Sequence, residues 1–220
     1  MKPTKLLAKT TTIEGEVLEL VSHDNNYQIR SGGFAFFSSH SSNAERVLGK
    51  KAVEPFLACR KPRILIGGLG LGHIAKSVVD TLARRRGEIT VAEPCSDIIR
   101  WHHTHLRDFH GEPPLINDPR LHILPKTIEE TIWAGQDQHA IVIRCGGAPR
   151  NETACAAATL AAAYQALLPK GLLCVLSPVR DKEFDKELQR CGFEVASMPV
   201  QTCEKARRPR LASLWLAKKA

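Results

Sequence analysis

From residue 63 onward, short apolar runs alternate with segments whose apolar residues recur every three or four positions. Ile64-Leu65-Ile66, Ile89-Thr90-Val91, Leu121-His122-Ile123-Leu124, Ala140-Ile141-Val142-Ile143 and Leu172-Leu173-Cys174-Val175-Leu176 read as short strands, most of them apolar throughout, as buried parallel strands are. Between them, Ile74, Val78, Val79 and Leu82 fall on one face of a helix expected over residues 74–85. A second helix starts from a cap at Ser96 or Asp97 and passes Trp101 to about Leu106. A short third spans residues 128–133. A long alanine-rich fourth spans 151–168, with Asn151 as its N-cap. A polar helix over 181–190 and strands over 193–200 and 211–216, paired as a hairpin, complete the pattern. Strand and helix in alternation predict an α/β fold: a doubly wound, mostly parallel sheet ending in an antiparallel hairpin.

The first part of the chain has a different period. Glu16-Val17-Leu18-Glu19-Leu20-Val21 alternates polar with apolar, as a half-buried strand does. Turn residues His23-Asp24-Asn25-Asn26 and Ser31-Gly32-Gly33 flank Tyr27-Gln28-Ile29-Arg30, and Phe34-Ala35-Phe36-Phe37 follows. We therefore expect a small β element over residues 1–42 and a main domain over 43–220. Ser42-Asn43-Ala44-Glu45 has the form of a capping box at the start of a helix that Pro55 ends or kinks.

Chemistry concentrates where the strand Ile64-Leu65-Ile66 breaks into Gly68, Gly70 and Gly72. Such a turn lets the backbone bend tightly and lets a ligand lie against it, while the following helix offers free N–H groups to an anion. The G-x-G-x-G spacing favours an adenosyl ligand held by its ribose and carboxylate over a dinucleotide held by its pyrophosphate. One βα unit later Glu93 ends the second strand. It lies about 20 residues beyond the glycines, where such folds place the carboxylate that accepts ribose hydroxyls.

Composition narrows the reading. An apolar content of 43% over 220 residues supports one large α/β domain with a small appendage. No apolar run is long enough to span a membrane, and no signal-peptide core follows Met1, so a cytoplasmic protein is expected. The 7 scattered cysteines contain no C-x-x-C pair, which suits reduced thiols and not a zinc site. The net charge of +8 gathers partly in Lys205-Ala206-Arg207-Arg208-Pro209-Arg210. No stacking aromatics accompany it, so we read a solvated basic loop and expect no nucleic-acid partner. His102, His105 and His110 are expected on an exposed polar face, because no carboxylate or cysteine is spaced to complete a metal site. Cys145, ending the fourth strand, has no basic partner to form a thiolate and is expected as a small buried residue.

Taken in order, these motifs resemble the spermidine synthase (polyamine aminopropyltransferase) family, which has the Rossmann-like fold of S-adenosylmethionine-dependent methyltransferases. Tyr27-Gln28 resembles the Tyr-Gln of its small N-terminal β domain. Residues 64–72 resemble its glycine motif, and Val91-Ala92-Glu93 the strand whose acid holds ribose. Asp118-Pro119-Arg120-Leu121 and Leu168-Pro169-Lys170-Gly171 resemble its turns before the third and fifth strands. The resemblance implies a nucleoside pocket formed by Gly68, Gly70, Gly72, Glu93, Gln28 and Cys145. It implies S-adenosylmethionine or decarboxylated S-adenosylmethionine as cofactor, without a metal. The departures are specific. The family's acid inside the glycine motif is Leu71 here, and its acid after the third strand falls on Thr127. Its Asp-Ser-x-Asp-Pro motif reads Cys145-Gly146-Gly147-Ala148-Pro149. The ribose acid is kept and the amine-binding acids are absent. We therefore expect a spermidine synthase-like protein that binds an adenosyl nucleoside and is inefficient on putrescine. A methyltransferase of unknown acceptor and a non-catalytic nucleoside-binding protein are the alternatives. A homodimer is left open.

Overall fold

The computed structural model describes residues 3–12, 15–204, 206, 208 and 210–220. Lys205, Arg207 and Pro209 of the basic loop lie outside these. Four strands, β1 (Lys5–Thr11), β2 (Val17–His23), β3 (Asn26–Ser31) and β4 (Phe34–Ser38), form an antiparallel sheet in chain order. The sequence pattern predicts only the last three. β1 has a bulge between Leu6 and Ala8, which breaks the alternation that would have marked it.

Helix α1 (Asn43–Val53) leads from this sheet into the main one. There β5 (Arg63–Gly67), α2 (His73–Leu82), β6 (Glu88–Ala92), α3 (Ser96–His103), β7 (Leu121–Leu124), α4 (Ile128–Ala134) and β8 (Gln138–Arg144) follow one another. Then come α5 (Ala157–Ala166), β9 (Leu167–Ser177), α6 (Lys182–Arg190), β10 (Phe193–Gln201) and β11 (Leu211–Lys219). The strand order is β10-β11-β9-β8-β5-β6-β7. β9, β8, β5, β6 and β7 are mutually parallel, while β11 is antiparallel to both its neighbours. The order reverses between β5 and β8, because the chain goes first outward through β6 and β7 and then back.

Both faces are covered at the centre of this sheet, which is why β5, β8 and β9 carry apolar runs. Ile64 and Ile66 of β5 join one core with Leu48, Val78 and Leu82 of α1 and α2; that core also takes Leu20 and Ile29 of the small sheet. Leu65, between them, joins a second core with Ile132, Leu160 and Phe184 of α4, α5 and α6. Each fully buried aliphatic side chain contributes about 1.5–3 kcal/mol, so the alternation along β5 ties both helix layers to the strand that carries the glycine turn.

Three local expectations are corrected. The long helix is shorter than its alanine content suggests: α5 starts at Ala157, with Ala156 at the N-cap position and Asn151 inside a preceding 3-10 turn. The reason lies in the loop. Glu152 Oε1 accepts the N–H groups of Gly146 and Gly147, both at 3.0 Å, which keeps this stretch out of a helix. At its far end Leu167 pairs with Gln138 of β8, so sheet pairing wins over helix propensity. At α1, Ser42 makes no side-chain cap; its hydroxyl donates to Ser39 O, and Glu45 turns to Arg144 instead. At α3 neither Ser96 nor Asp97 is the cap, Cys95 holds that position, and Asp97 pairs with Thr10 and Arg100.

Candidate functional site at the glycine turn

The turn leaves β5 at the point where strand order reverses, the place where open α/β sheets bind ligands. Gly68, Gly70 and Gly72 all have positive φ, +83°, +49° and +82°. Their backbone is one that a side chain would strain. Glu93, just past β6, is only 5% exposed and faces the turn. Its Oε2 accepts the N–H of Leu69 at 2.8 Å, and its Oε1 accepts the N–H of Cys95 at 2.9 Å. Burial pushes its carboxyl above the usual range, and the backbone donors of Leu69, Cys95 and Gly70 pull the other way. The spacing read from sequence thus corresponds to a direct bond between acid and turn.

The other side of the turn is packed by the protein itself. A Cβ on Gly70 would lie 2.6 Å from the Phe37 ring, and one on Gly72 would lie 2.9 Å from His110 and Leu115. His102 Nε2 donates to Gly70 O at 2.9 Å, and His110 Nε2 donates to Leu71 O at 2.7 Å. A carbonyl only accepts, so both neutral rings carry their proton on Nε2. This corrects the expectation of an exposed histidine face: His102 is 3% exposed and His110 is half-buried, while His105 does lie at the surface. Desolvation lowers the pKa of His102 to about 4 and also pushes that of His110 below its ordinary value. Leu71 is 1% exposed, its side chain in the core with α2.

Gln28 is not brought to the turn. Ile29 pairs with Phe37, and both face the core, so Gln28 points to the opposite face of the small sheet. There its Oε1 accepts from Arg30 Nε at 2.7 Å. Cys145, one residue past β8, is 1% exposed, buried as expected. Its thiol is turned into the core beneath α5, 3.6 Å from Cys155 Sγ. Its contact with the Cys145 thiol, and after that burial, hold the Cys155 thiol far above its ordinary range. Thr127, where the resemblance would place an acid, caps α4 in a reciprocal capping box with Glu130.

Several residues escape the sequence reading. Arg144 is the one charged residue in the apolar run of β8, and that could have marked it. Its Nε lies 3.0 Å from Glu45 Oε1, it donates to Phe36 O, and its guanidinium lies 4.3 Å over the Phe37 ring. Burial raises the Glu45 pKa, opposed by the Arg144 charge. Arg144 and Cys145 line a cavity of about 70 Å³, and Arg144 with Phe34, Phe36 and Gly146 lines another of about 240 Å³. Neither these nor the three other cavities described are lined by Gly68, Gly70, Gly72 or Glu93. Among the described residues no group of His, Cys, Asp and Glu is placed to hold a metal ion, and no helix is long and apolar enough to cross a membrane.

No family model matches the chain, and no curated protein matches it. Solved structures do. A spermidine synthase in complex with the transition-state analogue AdoDATO aligns with a TM-score of 0.73 and 15% identity, over 98% of this chain and 74% of that one. A probable spermidine synthase from Corynebacterium glutamicum aligns at 0.66 and 15%, over 99% and 81%. A precorrin-6y C5,15-methyltransferase from Geobacter metallireducens aligns at 0.57 and 12%, over 80% and 87%. At these identities the likeness establishes the fold, and that fold is the Rossmann-like one shared by spermidine synthases and methyltransferases.

Proposed function

We propose that the chain binds an adenosyl nucleoside at the carboxyl edge of β5 and β6, and that any group it transfers goes to an acceptor other than putrescine or spermidine. The nucleoside would be S-adenosylmethionine, its decarboxylated form or methylthioadenosine. The observation that carries this reading is the bond from the Leu69 N–H to Glu93. It joins glycine turn and acid into one unit at the strand-order switch.

The residues fit the ribose end in kind. A carboxylate has about four acceptor sites, and the N–H groups of Leu69 and Cys95 take two of them, which leaves acceptor capacity for a ribose hydroxyl. Gly68, Gly70 and Gly72 let the backbone approach the ligand, provided that Phe37 swings away from Gly70. When bound, the sulfonium nucleoside supplies an electrophilic carbon; the chain's part is to hold and orient it and to exclude water. Proton removal is where the chain is poor. A primary ammonium has a pKa near ~10.4, so an acceptor amine needs a base. Leu71, Cys145 and Ala148 provide none. The acids nearby are committed, Glu45 to Arg144 and Glu152 to the N–H groups of Gly146 and Gly147.

The packing of Phe37, His102 and His110 against the turn favours a second reading, a non-catalytic member of this fold. Thermal shift with S-adenosylmethionine, its decarboxylated form, methylthioadenosine and S-adenosylhomocysteine separates the two. A ligand of the folded state at one hundred times its Kd adds about 2.7 kcal/mol of stability. A shift with at least one of these, abolished by Gly70→Val, is expected; no shift with any of them overturns nucleoside binding. Incubation with decarboxylated S-adenosylmethionine and putrescine, following methylthioadenosine release, tests the acceptor. Turnover of ~1 s⁻¹ or more would overturn the exclusion of putrescine.

A further inference from the structure

The widest cavity described, about 740 Å³, begins at His73, one residue beyond the glycine turn, and follows the groove between α1 and α2. Its size falls in the range of small-molecule sites, about 300–1,000 Å³. The groove is held open by a fixed helix spacing. Gly49 lets α1 approach α2 so closely that a Cβ there would lie 2.7 Å from Ile74 O, and Ser77 Oγ donates to Arg46 O at 2.6 Å. Arg46 therefore stands at a defined place on the wall, yet its guanidinium makes no ion pair or hydrogen bond with any described residue. A smaller cavity of about 200 Å³ on its other side shares Arg46, Asn26 and Ser39.

A second, independent observation lies on the floor. His73 is 8% exposed, and its Nε2 has no hydrogen-bond partner among the described residues. Buried ring nitrogens in folded proteins are nearly always paired. Its ring is held edge-on by Phe109 and His110, at 5.4 and 5.2 Å between centroids. Burial first, then the charges of its neighbours, lower its pKa to about 3, so near neutrality it presents an uncharged ring nitrogen.

The charges on the walls select the ligand. Of the three cations on the walls, Lys76 pairs with Asp80 at 2.6 Å and Lys50 with Glu54 at 3.6 Å, which leaves Arg46 as the one without an acidic partner among the described residues. A phosphate monoester carries about −1.5 to −2 at neutral pH, and it suits an unpaired Arg46 next to Lys76, whose ammonium keeps a third N–H beyond the two it gives Asp80. The planar guanidinium fork suits phosphate oxygens. On the opposite wall Asn25, Asn26 and Ser39 offer amides and a hydroxyl instead of apolar surface. We propose that this groove binds a small phosphate monoester with a hydroxylated, sugar-like body, its phosphate on Arg46 and Lys76 and its body along Asn25, Asn26 and Ser39.

Calorimetric titration of the full chain with ribose 5-phosphate tests this, with ribose, inorganic phosphate and a single-stranded oligonucleotide as further probes. Saturable one-to-one binding of ribose 5-phosphate is expected, weaker for inorganic phosphate and absent for ribose. Arg46→Gln, an exposed position whose fold is checked by circular dichroism, should weaken it at least ~10-fold, and Lys76→Gln should also weaken it. Excess methylthioadenosine should leave it unchanged, which keeps this site distinct from the proposed nucleoside pocket. The proposal is overturned by no saturable binding up to ~10 mM. Equal binding to wild type and Arg46→Gln, or displacement by methylthioadenosine, also overturns it. So does an oligonucleotide that binds where ribose 5-phosphate cannot displace it.

Discussion

Replacing Glu93 by alanine tests whether turn and acid form one unit. The carboxylate is 5% exposed and accepts two backbone N–H groups, from Leu69 at 2.8 Å and from Cys95 at 2.9 Å. Hydrogen bonds to a charged partner are worth about 1.5–3 kcal/mol each, and removing the acceptor strands both donors in a buried place. The gross loss is therefore about 3–6 kcal/mol. Relief from burying a charge offsets part of it, since desolvation already raises this carboxyl's pKa, and ~2–4 kcal/mol remains. That is a large share of the ~5–15 kcal/mol by which domains are stable. In urea, with m near ~2–3 kcal/mol/M, the midpoint should fall by roughly 1 M. Glu93→Gln keeps one acceptor and should fall between wild type and alanine. If the carboxylate also takes a ribose hydroxyl, calorimetry on the folded Glu93→Ala variant should show nucleoside binding weaker by ~10- to 150-fold. An unchanged urea midpoint in Glu93→Ala would refute the structural argument. Equal nucleoside affinity would make Glu93 a brace for the turn and nothing more.

Two further outcomes are expected. His73, with a folded pKa of about 3 against 6.5 unfolded, binds fewer protons when folded, so its share of stability is present above pH 6.5 and is lost as pH falls toward 3. Between pH 7 and 5.5 wild type should lose ~1 kcal/mol more than His73→Gln does, measured by urea unfolding at both pH values; parallel losses would contradict the assignment. Glu45→Ala leaves Arg144, whose side chain is 20% exposed, without its partner, and should destabilise the fold by ~2–4 kcal/mol, while Glu45→Leu with Arg144→Met should recover most of that. A loss below ~0.5 kcal/mol in the single variant would place the pair with ordinary surface ion pairs.

The main sheet was legible because parallel strands buried on both faces leave an unmistakable apolar run, and because β5 and β6 each end at a residue with its own chemistry, Gly68 and Glu93. The failures occur where a long-range contact overrides a local preference. Alanines between 156 and 168 favour helix, but Leu167 belongs to β9 because Gln138 of β8 is there to pair with it. Ser42 and Glu45 have the spacing of a capping box, but Arg144, a hundred residues away in sequence, takes the glutamate. Thr127 and Glu130 have the same spacing and do form the box, since nothing else competes for Glu130. The capping pattern is thus real chemistry in both places, and the outcome is decided by what the fold brings alongside.

The same reasoning explains why half of the candidate site could be read and half could not. Glu93 and the glycines are separated by one βα unit, so the fold class alone brings them together and spacing suffices. Phe37, His102 and His110 reach the turn from β4, from α3 and from the loop beyond it, and no spacing encodes that meeting. Histidines three apart on a helix read as a solvated face because their partners are backbone carbonyls, which every sequence has and none announces. A turn whose carbonyls accept from two neutral imidazoles and whose Gly70 lies against a phenyl ring is already packed; a ligand can use it only by replacing contacts the protein makes with itself. In the proposed nucleoside pocket, Phe37 is therefore the group that would have to give way and Glu93 the one that would have to stay.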